Sequence, residues 1–365
     1  MKYYIIAGEA SGDLHASNLA SELFKIDKQA EIRGCGGKLM ENQGVSLLMN
    51  YNRMSFMGFV EVLRNIRIII DNFKKVKKDI IYFQPNSLIL VDYPGFNLRI
   101  AKFAKKQGFK VFYYISPKFW AWNESRVEKV KAYIDKMFVI LPFEKDFYDK
   151  HNYSVEYVGH PLLDAFDSLQ VFEKKNYIAL LPGSRRQEVK RMLPIMLSVA
   201  EKHKDKNFVI AAVPTLGNDF YLPYLKNNNV KIEFENTYKI LKQCKAAMVT
   251  SGTATLEAAL ADAPQVVCYK ANCVSYLIAK LLIKVRFISL PNLIMNKEIV
   301  KELIQKQLNT NNLNNELMRI IDSDIADKIR NNYKMLVEKL GNSGASKKTA
   351  QLIYEHHTLF EDGKN

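Results

Sequence analysis

Cysteine is scarce, with four in 365 residues. Cys35 and Cys244 stand alone, and Cys268 and Cys273 are too far apart in sequence for a paired metal-ligand motif. This excludes a disulfide scaffold and a zinc knuckle, and a reducing cytosol is the simplest setting. Long apolar runs are also missing. The nearest, Tyr276–Ile288, is interrupted by Lys280, Lys284 and Arg286, so no bilayer-spanning segment is expected. Met1–Ala7 is too short for a secretory apolar core and runs straight into a glycine turn, so it reads as a first strand. Acidic residues are in deficit: 38 against 53 Lys and Arg, a net charge of +15. That balance draws a protein toward polyanions, either nucleic acid or an anionic membrane face. No interleaved aromatic and basic RNA motif is present, so nucleic acid is not the expected partner.

What is present is apolar material for real cores, 48% hydrophobic and 11% aromatic, over a length that suits two domains. In the first half, strands are predicted at Tyr3–Ala7, Ser87–Val91, Lys110–Ile115 and Met137–Leu141. Helices are predicted at Asp13–Phe24, Phe59–Lys78, Asn97–Lys106, Glu124–Tyr133 and Glu144–His151. Short apolar strands alternating with helices imply a parallel sheet covered on both faces. The second half repeats the pattern, with strands at Tyr177–Leu181, Phe208–Val213, Val230–Phe234, Ala246–Thr250 and Gln265–Tyr269. Its helices are placed at Glu188–Lys202, Thr237–Gln243, Ala254–Ala261 and Lys297–Gln307. The boundary is expected within Gly159–Lys175. The division is then 1–165, 166–345 and a terminal helix in 346–365 that returns to brace the first domain. Asparagine and charge dominate after Asn309, with helical patterns at Ile325–Leu340 and Ser346–His357.

Two glycine-rich turns carry the strongest functional signal. Gly8-Glu9-Ala10-Ser11-Gly12-Asp13 follows the first strand, and Pro182-Gly183-Ser184-Arg185-Arg186-Gln187-Glu188 follows Tyr177–Leu181. A strand, a tight turn and a helix start point unpaired backbone N–H groups at an anion. Two such turns suggest two domains facing a shared cleft. The second is the stronger, because Arg185 and Arg186 enter where a diphosphate would lie. Glycine also serves plain βα turns, which is the competing reading of each alone.

Other polar residues fall where strands end, the ligand side of an open parallel sheet. Asp92 ends Ser87–Val91. It is a candidate general base for a hydroxyl nucleophile or, more plainly, a cap for the helix that follows. Ser251-Gly252-Thr253 forms a second anion cradle. Glu257, one turn on, is placed to accept from ribose hydroxyls or to serve as an ordinary first-turn acid. Ser116-Pro117 leads into Trp120-Ala121-Trp122, where packing is the simpler role, and Pro291-Asn292 follows Phe287–Leu290. His160 reads as structural. Asp322-Ser323-Asp324 has the spacing of a metal–nucleotide site but lies between helices, where capping is the better account.

Two segments are candidate membrane contacts. Along Phe59–Lys78, Leu63, Ile66, Ile70 and Phe73 share a helical face, ringed by Arg64, Arg67, Lys74, Lys75, Lys77 and Lys78. Lys270–Lys297 carries five basic and no acidic residues among Leu277, Ile278, Leu281, Leu282, Ile283 and Phe287. Such stretches lie in a membrane interface or pack on their own sheet.

Taken in order, these motifs resemble the lipid-A-disaccharide synthase family. The carriers are Gly8–Asp13, Met57-Gly58-Phe59-Val60-Glu61-Val62-Leu63, Val91–Asn97, Tyr114–Pro117 with Trp120-Ala121-Trp122, Phe143-Glu144-Lys145, Gly159-His160-Pro161, Leu181–Arg185, Ser251–Glu257 and Ser289-Leu290-Pro291-Asn292. Met295-Asn296 departs from the pattern, where smaller residues including a glycine are expected. The resemblance implies an α/β GT-B fold, two Rossmann-like domains facing a central cleft. It implies an inverting, metal-independent glycosyltransferase of lipid A biosynthesis without a cofactor, peripheral on the cytoplasmic face of the inner membrane. The substrates would be UDP-2,3-diacylglucosamine and 2,3-diacylglucosamine 1-phosphate, joined β-1,6 with release of UDP. An anionic membrane surface and a second copy in a homodimer complete the expected partners. By the same resemblance Asp92 is the base and Arg185 stabilises the departing diphosphate with the amides of Gly183, Ser184, Ser251, Gly252 and Thr253. Glu257 holds the ribose, Asn292 lines the nucleotide pocket, and Gly8, Ser11 and Gly12 approach the substrate from the other domain. The rivals are another UDP-sugar GT-B enzyme, a UDP-sugar epimerase or a non-catalytic nucleotide-binding protein.

Overall fold

The structure is a computed structural model of the full chain. It describes all residues except 55–64, 168–171, 226–227, 235, 273–275, 277–284, 322 and 363–365. The Met57–Leu63 motif and most of the apolar residues of the 270–297 segment therefore lie outside the described residues.

The chain divides into two compact units, Met1–Asp164 with Ser343–Asn365, and Ala165–Asn342. The first is built on seven strands: β1 (Lys2–Ala7), β2 (Glu31–Gly36), β3 (Ser46–Asn50), β4 (Ser87–Val91), β5 (Lys110–Tyr114), β6 (Lys136–Val139) and β7 (Glu156–Tyr157). Their order is β3-β2-β1-β4-β5-β6-β7, and every pairing is parallel. After their first residues, Lys2, Ser87 and Lys110, the central strands β1, β4 and β5 are apolar because both faces are covered. Alternate residues feed two separate cores. Tyr4, Ile6, Leu88, Leu90 and Tyr113 fill one, and Tyr3, Ile5, Ile89, Val91 and Tyr114 fill the other. The terminal helix Ala345–Asp362 packs on the helix Ala10–Ile26 and places Ala350 and Ile353 in that second core. Asp164 anchors the returning chain by accepting the N–H groups of Gly344, Ala345 and Ser346.

The second unit holds β8 (Tyr177–Leu181), β9 (Asn207–Ala211), β10 (Val230–Glu233), β11 (Ala246–Thr250), β12 (Gln265–Tyr269) and β13 (Lys301–Ile304). Their order is β10-β9-β8-β11-β12-β13, again all parallel. In both sheets the chain works outward from a central strand and then jumps to its other side. The reversal falls between β1 and β4 in the first unit and between β8 and β11 in the second, the crevice where Rossmann-like folds take ligands.

One expectation is corrected and one omission is filled. Lys297–Gln307 is not a helix, because Lys301–Ile304 joins the sheet as β13 beside β12. Ile299, Val300, Leu303 and Ile304 have helical spacing, and pairing with the buried neighbour β12 overrides it. Strands β2 and β3 are not among the expected strands: in β2, Gly34 and Gly36 stand in place of large side chains, and in β3 the apolar run is only Leu47-Leu48-Met49. A Cβ on Gly34 would stand 1.8 Å from the Ile5 carbonyl oxygen, so close strand contact requires the glycine.

Candidate active site

The two expected glycine turns and two further motifs lie at the reversal points. Gly8–Gly12 leaves β1 and Asp92 leaves β4, strands paired through Ala7 and Val91. Gly183–Arg185 leaves β8, and Ser251–Thr253 leaves β11, paired through Leu181 and Val249. Each unit therefore presents one glycine turn and one polar partner across its own reversal point.

In the first unit, Gly8 is buried beneath Tyr93. A Cβ there would fall 2.1 Å from the Tyr93 ring, so the motif's first glycine is a steric requirement. Gly12 packs against Ala7, and Ser11 is exposed in the first turn of the helix Ala10–Ile26. Asp13 is almost fully buried and accepts from the N–H groups of Gly37 at 2.7 Å, Leu39 at 3.2 Å and Met40 at 3.3 Å. It is the brace that ties this turn to the loop after β2.

Asp92 does not cap a helix. The helix Pro94–Lys106 has Tyr93 at its N-cap position, without a side-chain cap. Asp92 and Tyr93 instead both adopt left-handed backbone, at φ 44° and 49°. Consecutive non-glycine residues in that region store strain, which the surroundings hold in place. The Asp92 N–H donates to Tyr114 O at 3.0 Å, and its carbonyl accepts from Asn97 Nδ2 at 2.7 Å and Tyr113 Oη at 2.6 Å. The backbone is clamped and the carboxyl group projects from a fixed point. Burial pushes this carboxyl up to about 6, and the charge of Glu9 adds to the rise, while Lys118 and the Tyr93 N–H oppose it. A carboxylate poised near neutrality suits a general base better than an ordinary surface acid.

The neighbouring strand end is equally constrained. Ile115, a β-branched residue, takes φ 68° directly after β5. Ser116 Oγ pairs with Tyr148 Oη at 2.7 Å, and Trp120 Nε1 donates to the buried Glu144 carboxylate at 3.1 Å. Trp120 thus packs within the unit, its ring edge-on to Phe143, whereas Trp122 is 39% exposed with the Arg126 guanidinium over its ring. His160 is buried, accepts the Leu162 N–H at Nδ1, and is pushed down to about 3 by burial and by His15 and Lys118. It is a neutral structural residue.

In the second unit the first cradle is filled by the chain itself. Gly183 has φ 120°, and the helix Arg186–Lys202 starts after Arg185. Glu188 folds back so that its Oε2 accepts the Ser184 N–H at 3.0 Å and the Arg185 N–H at 3.3 Å, while Oε1 lies 3.4 Å from Arg185 Nη1. This is a capping-box arrangement: the carboxylate that accepts from these N–H groups is the chain's own, where the sequence reading expects a ligand diphosphate. Arg185 remains about half exposed. Arg186 lies over the Phe220 ring at 4.6 Å.

The second cradle is open. Gly252 has φ 154°, and no atom lies within 4 Å of the position its Cβ would occupy. Ser251 Oγ is tied to Ile288 O at 2.9 Å, and Thr255 Oγ1 bonds Gly252 O at 2.7 Å, which leaves Thr253 exposed at the first turn of the helix Thr253–Leu260. Glu257 follows one turn on. Burial alone pushes its carboxyl up to about 7. Hydroxyl donors from a ligand would relieve that desolvation.

Asn292 does not line a pocket, which corrects the sequence expectation. It is fully buried, and its amide is saturated by its own loop. Oδ1 accepts the N–H groups of Ile299 and Val300, and Nδ2 donates to Val300 O and Glu302 Oε1, all within 2.7–3.0 Å. Glu302 on β13 also accepts from Ile288 N, Ser289 N and Ser289 Oγ. The pair shapes the Ser289–Asn296 turn from within. Within the Met295-Asn296 departure, Asn296 takes the left-handed position, φ 49°, after the helix Leu290–Met295. Asparagine is among the few residues that accept it. Sequence reasoning missed Glu9, Lys118, Glu188 and Glu302. Only Glu188 had a local signal, its third place in the helix, whereas Glu302 acts across 10 to 14 residues and a strand pairing.

Comparison with known proteins agrees with this geometry. The profile of the lipid-A-disaccharide synthetase family matches residues 3–355. Lipid-A-disaccharide synthase of Trichlorobacter lovleyi is 37% identical over 366 residues, covering 96% of each chain. Among solved structures, UDP-GlcNAc 2-epimerase of Methanocaldococcus jannaschii aligns with TM-score 0.66 at 13% identity over 97% of this chain and 100% of its own. The glycotransferase of kitacinnamycin aligns with TM-score 0.66 at 12% identity, over 97% and 98%. These two share the fold: paired Rossmann-like units of the GT-B type. The ordered motifs, the two reversal-point sites and the near full-length match together place the chain in the lipid-A-disaccharide synthase family.

Proposed function

We propose that the chain performs the transfer for which its family is named. It moves 2,3-diacylglucosamine from its UDP derivative to the 6-hydroxyl of 2,3-diacylglucosamine 1-phosphate, with inversion and release of UDP. The observation that carries the residue assignment is the clamped, left-handed Asp92 with its carboxyl held near 6. Asp92 takes the proton from the acceptor O6–H. The oxygen forms its bond to the anomeric carbon from the face opposite UDP as the bond to the diphosphate oxygen breaks. Negative charge builds on the departing diphosphate, and the donors in the second unit are of the kind that stabilise it. They are Arg185, the Gly183–Ser184 turn once Glu188 yields it, and the open turn at Ser251, Gly252 and Thr253. Removing one such donor typically costs about 10²–10³ in rate. Glu257 accepts from the ribose hydroxyls. Gly8, Ser11 and Gly12 shape the acceptor side. No metal or cofactor enters the scheme.

Membrane association belongs to the same proposal. The helix Ile66–Phe83 exposes Ile66, Ile68 and Ile70, each between 42% and 47%, beside Arg67, Lys74, Lys75 and Lys78. Phe73 turns inward instead and stacks on Phe96. No described helix is long and apolar enough to cross a membrane. An interfacial position on the cytoplasmic face of the inner membrane fits this surface and keeps the acyl chains in lipid while the sugars reach the enzyme. Homodimer assembly is part of the proposal, to be read from the mass in solution.

Product analysis tests the reaction. Mass spectrometry should detect the tetraacyl disaccharide 1-phosphate and UDP when both substrates are supplied. Epimerised UDP-sugar without disaccharide would favour the epimerase reading, and binding without turnover a non-catalytic one.

A further inference from the structure

Three neighbouring strand ends set one cation beside Asp92. Ala7 of β1 pairs with Val91 of β4, and Val91 pairs with Tyr114 of β5. Glu9, Asp92 and Lys118 leave these strands two, one and four residues further on. Asp92 is in the middle, with a carboxylate arriving from one side and an ammonium from the other. The turn that delivers Lys118 is rigid. Ile115 holds its forced left-handed backbone, Ser116 is tied to Tyr148, Pro117 follows, and Phe119 is buried immediately beyond. Lys118 itself is exposed. Its charge reaches Asp92, Glu144 and His160 through space, without a side-chain hydrogen bond to either carboxylate.

We propose that Lys118 receives the anomeric phosphate of the acceptor and so selects the phosphorylated sugar while its 6-hydroxyl faces Asp92. This rests on the transfer reaction proposed above. The acceptor makes opposite electrostatic demands at its two ends, a hydroxyl that needs a base and a phosphate dianion that a carboxylate repels. Two unit charges about 4 Å apart interact by roughly 1 kcal/mol in water and about 4 kcal/mol near a protein surface. Asp92 and Glu9 together therefore disfavour a dianion unless a cation lies within reach, and Lys118 is the cation that the three strand ends supply. A lysine is a mobile point charge, suited to a phosphate, and it is not already fixed in a bidentate pair. Occupation by phosphate also cancels the pull of Lys118 on Asp92, which makes the carboxylate a stronger base when the acceptor is bound.

The test compares Lys118→Met and Lys118→Arg with the unaltered chain, each at full length. Lys118→Met keeps the apolar stem. Its KM for 2,3-diacylglucosamine 1-phosphate should rise roughly tenfold or more, as for loss of a charged hydrogen bond, with the KM for the UDP-sugar unchanged. Lys118→Arg should recover most of that loss. The same sugar without its phosphate, measured as a competitive inhibitor, should bind both forms equally. The titratable side chains acting on Asp92 are Glu9, Lys118 and Tyr113, and of these only Lys118 lowers it. The acid limb of kcat/KM should therefore move to higher pH in Lys118→Met. Equal weakening of phosphorylated and unphosphorylated sugar, or an unshifted acid limb with unchanged KM, overturns the proposal. Failure of the unaltered chain to form disaccharide would overturn the reaction itself, a result independent of the variants.

Discussion

Glu188 Oε2 accepts the Ser184 N–H at 3.0 Å, so the anion cradle after β8 contains the chain's own carboxylate. A diphosphate entering there competes with Glu188 for the same donors. Glu188→Gln keeps a hydrogen-bonding group at the third helical position but removes its charge. UDP binding by titration calorimetry should tighten several-fold, because like-charge repulsion is relieved, while the helix start remains capped. Weaker binding in the variant would mean that the carboxylate shapes the cradle and does not compete for it.

Arg185 and Arg186 are adjacent in sequence and differ in surroundings. Arg185 is half exposed at the turn, and Arg186 is stacked on Phe220. Arg185→Ala should lower kcat by roughly 10²-fold and weaken UDP binding, and Arg185→Lys should fall between, since lysine lacks the planar fork. Arg186→Ala should leave kcat within a few-fold and lose about 0.5–1 kcal/mol of stability at most. Steady-state kinetics beside urea unfolding separates the two residues. A normal kcat in Arg185→Ala removes it from the site.

For Asp92, pH and substitution give one combined test. A base held near 6 must be ionised to act, so kcat/KM should fall as pH drops through about 6. Asp92→Asn should lower the rate roughly 10²–10⁴-fold. Its stability should move the other way. A carboxyl whose value is raised by folding destabilises the folded state once ionised, fully above about 6 and not at all below its ordinary value of 3.8. Asp92→Asn should therefore be more stable than the parent at pH 8, by about 3 kcal/mol, with the gap closing on acidification. Denaturant titrations at pH 8 and pH 4 measure it. A folded variant with near-normal turnover would show that Asp92 is not the base.

Asn292 and Glu302 should behave as structure. Asn292→Ala breaks four hydrogen bonds in a buried loop and leaves Glu302 with one donor fewer. A stability loss of about 2–4 kcal/mol is expected. UDP affinity at low temperature, where the variant is folded, should change little. A large affinity loss without destabilisation would return Asn292 to the nucleotide site.

The exposed isoleucines predict the mode of membrane binding. Ile68→Glu, or Ile66 and Ile70 changed together, should reduce sedimentation with anionic vesicles at physiological salt. The unaltered chain should bind at low salt and be partly released at high salt, because surface attraction of roughly 1 kcal/mol per basic residue is screened. Undiminished binding in Ile68→Glu would move the contact elsewhere on the surface.

The sequence by itself determined the central parallel strands, the glycine turns and the family. Apolar runs such as Ser87–Val91 and Tyr177–Leu181 have one physical solution, burial on both faces. A glycine turn between such a strand and a helix states its backbone geometry locally. The tertiary structure alone decided how each side chain is used. Asp92 is not a cap because the β4–β5 pairing and the Asn97 and Tyr113 side chains clamp its backbone into the left-handed region. Asn292 is withdrawn from ligand because Glu302 arrives from a strand that the local pattern presents as helix. Lys118 has no meaning in its own segment and gains one only beside Asp92, across strand ends that sequence separates by more than twenty residues. Local rules fix backbone conformation, whereas electrostatic partnership and hydrogen-bond saturation depend on which residues the sheet brings together.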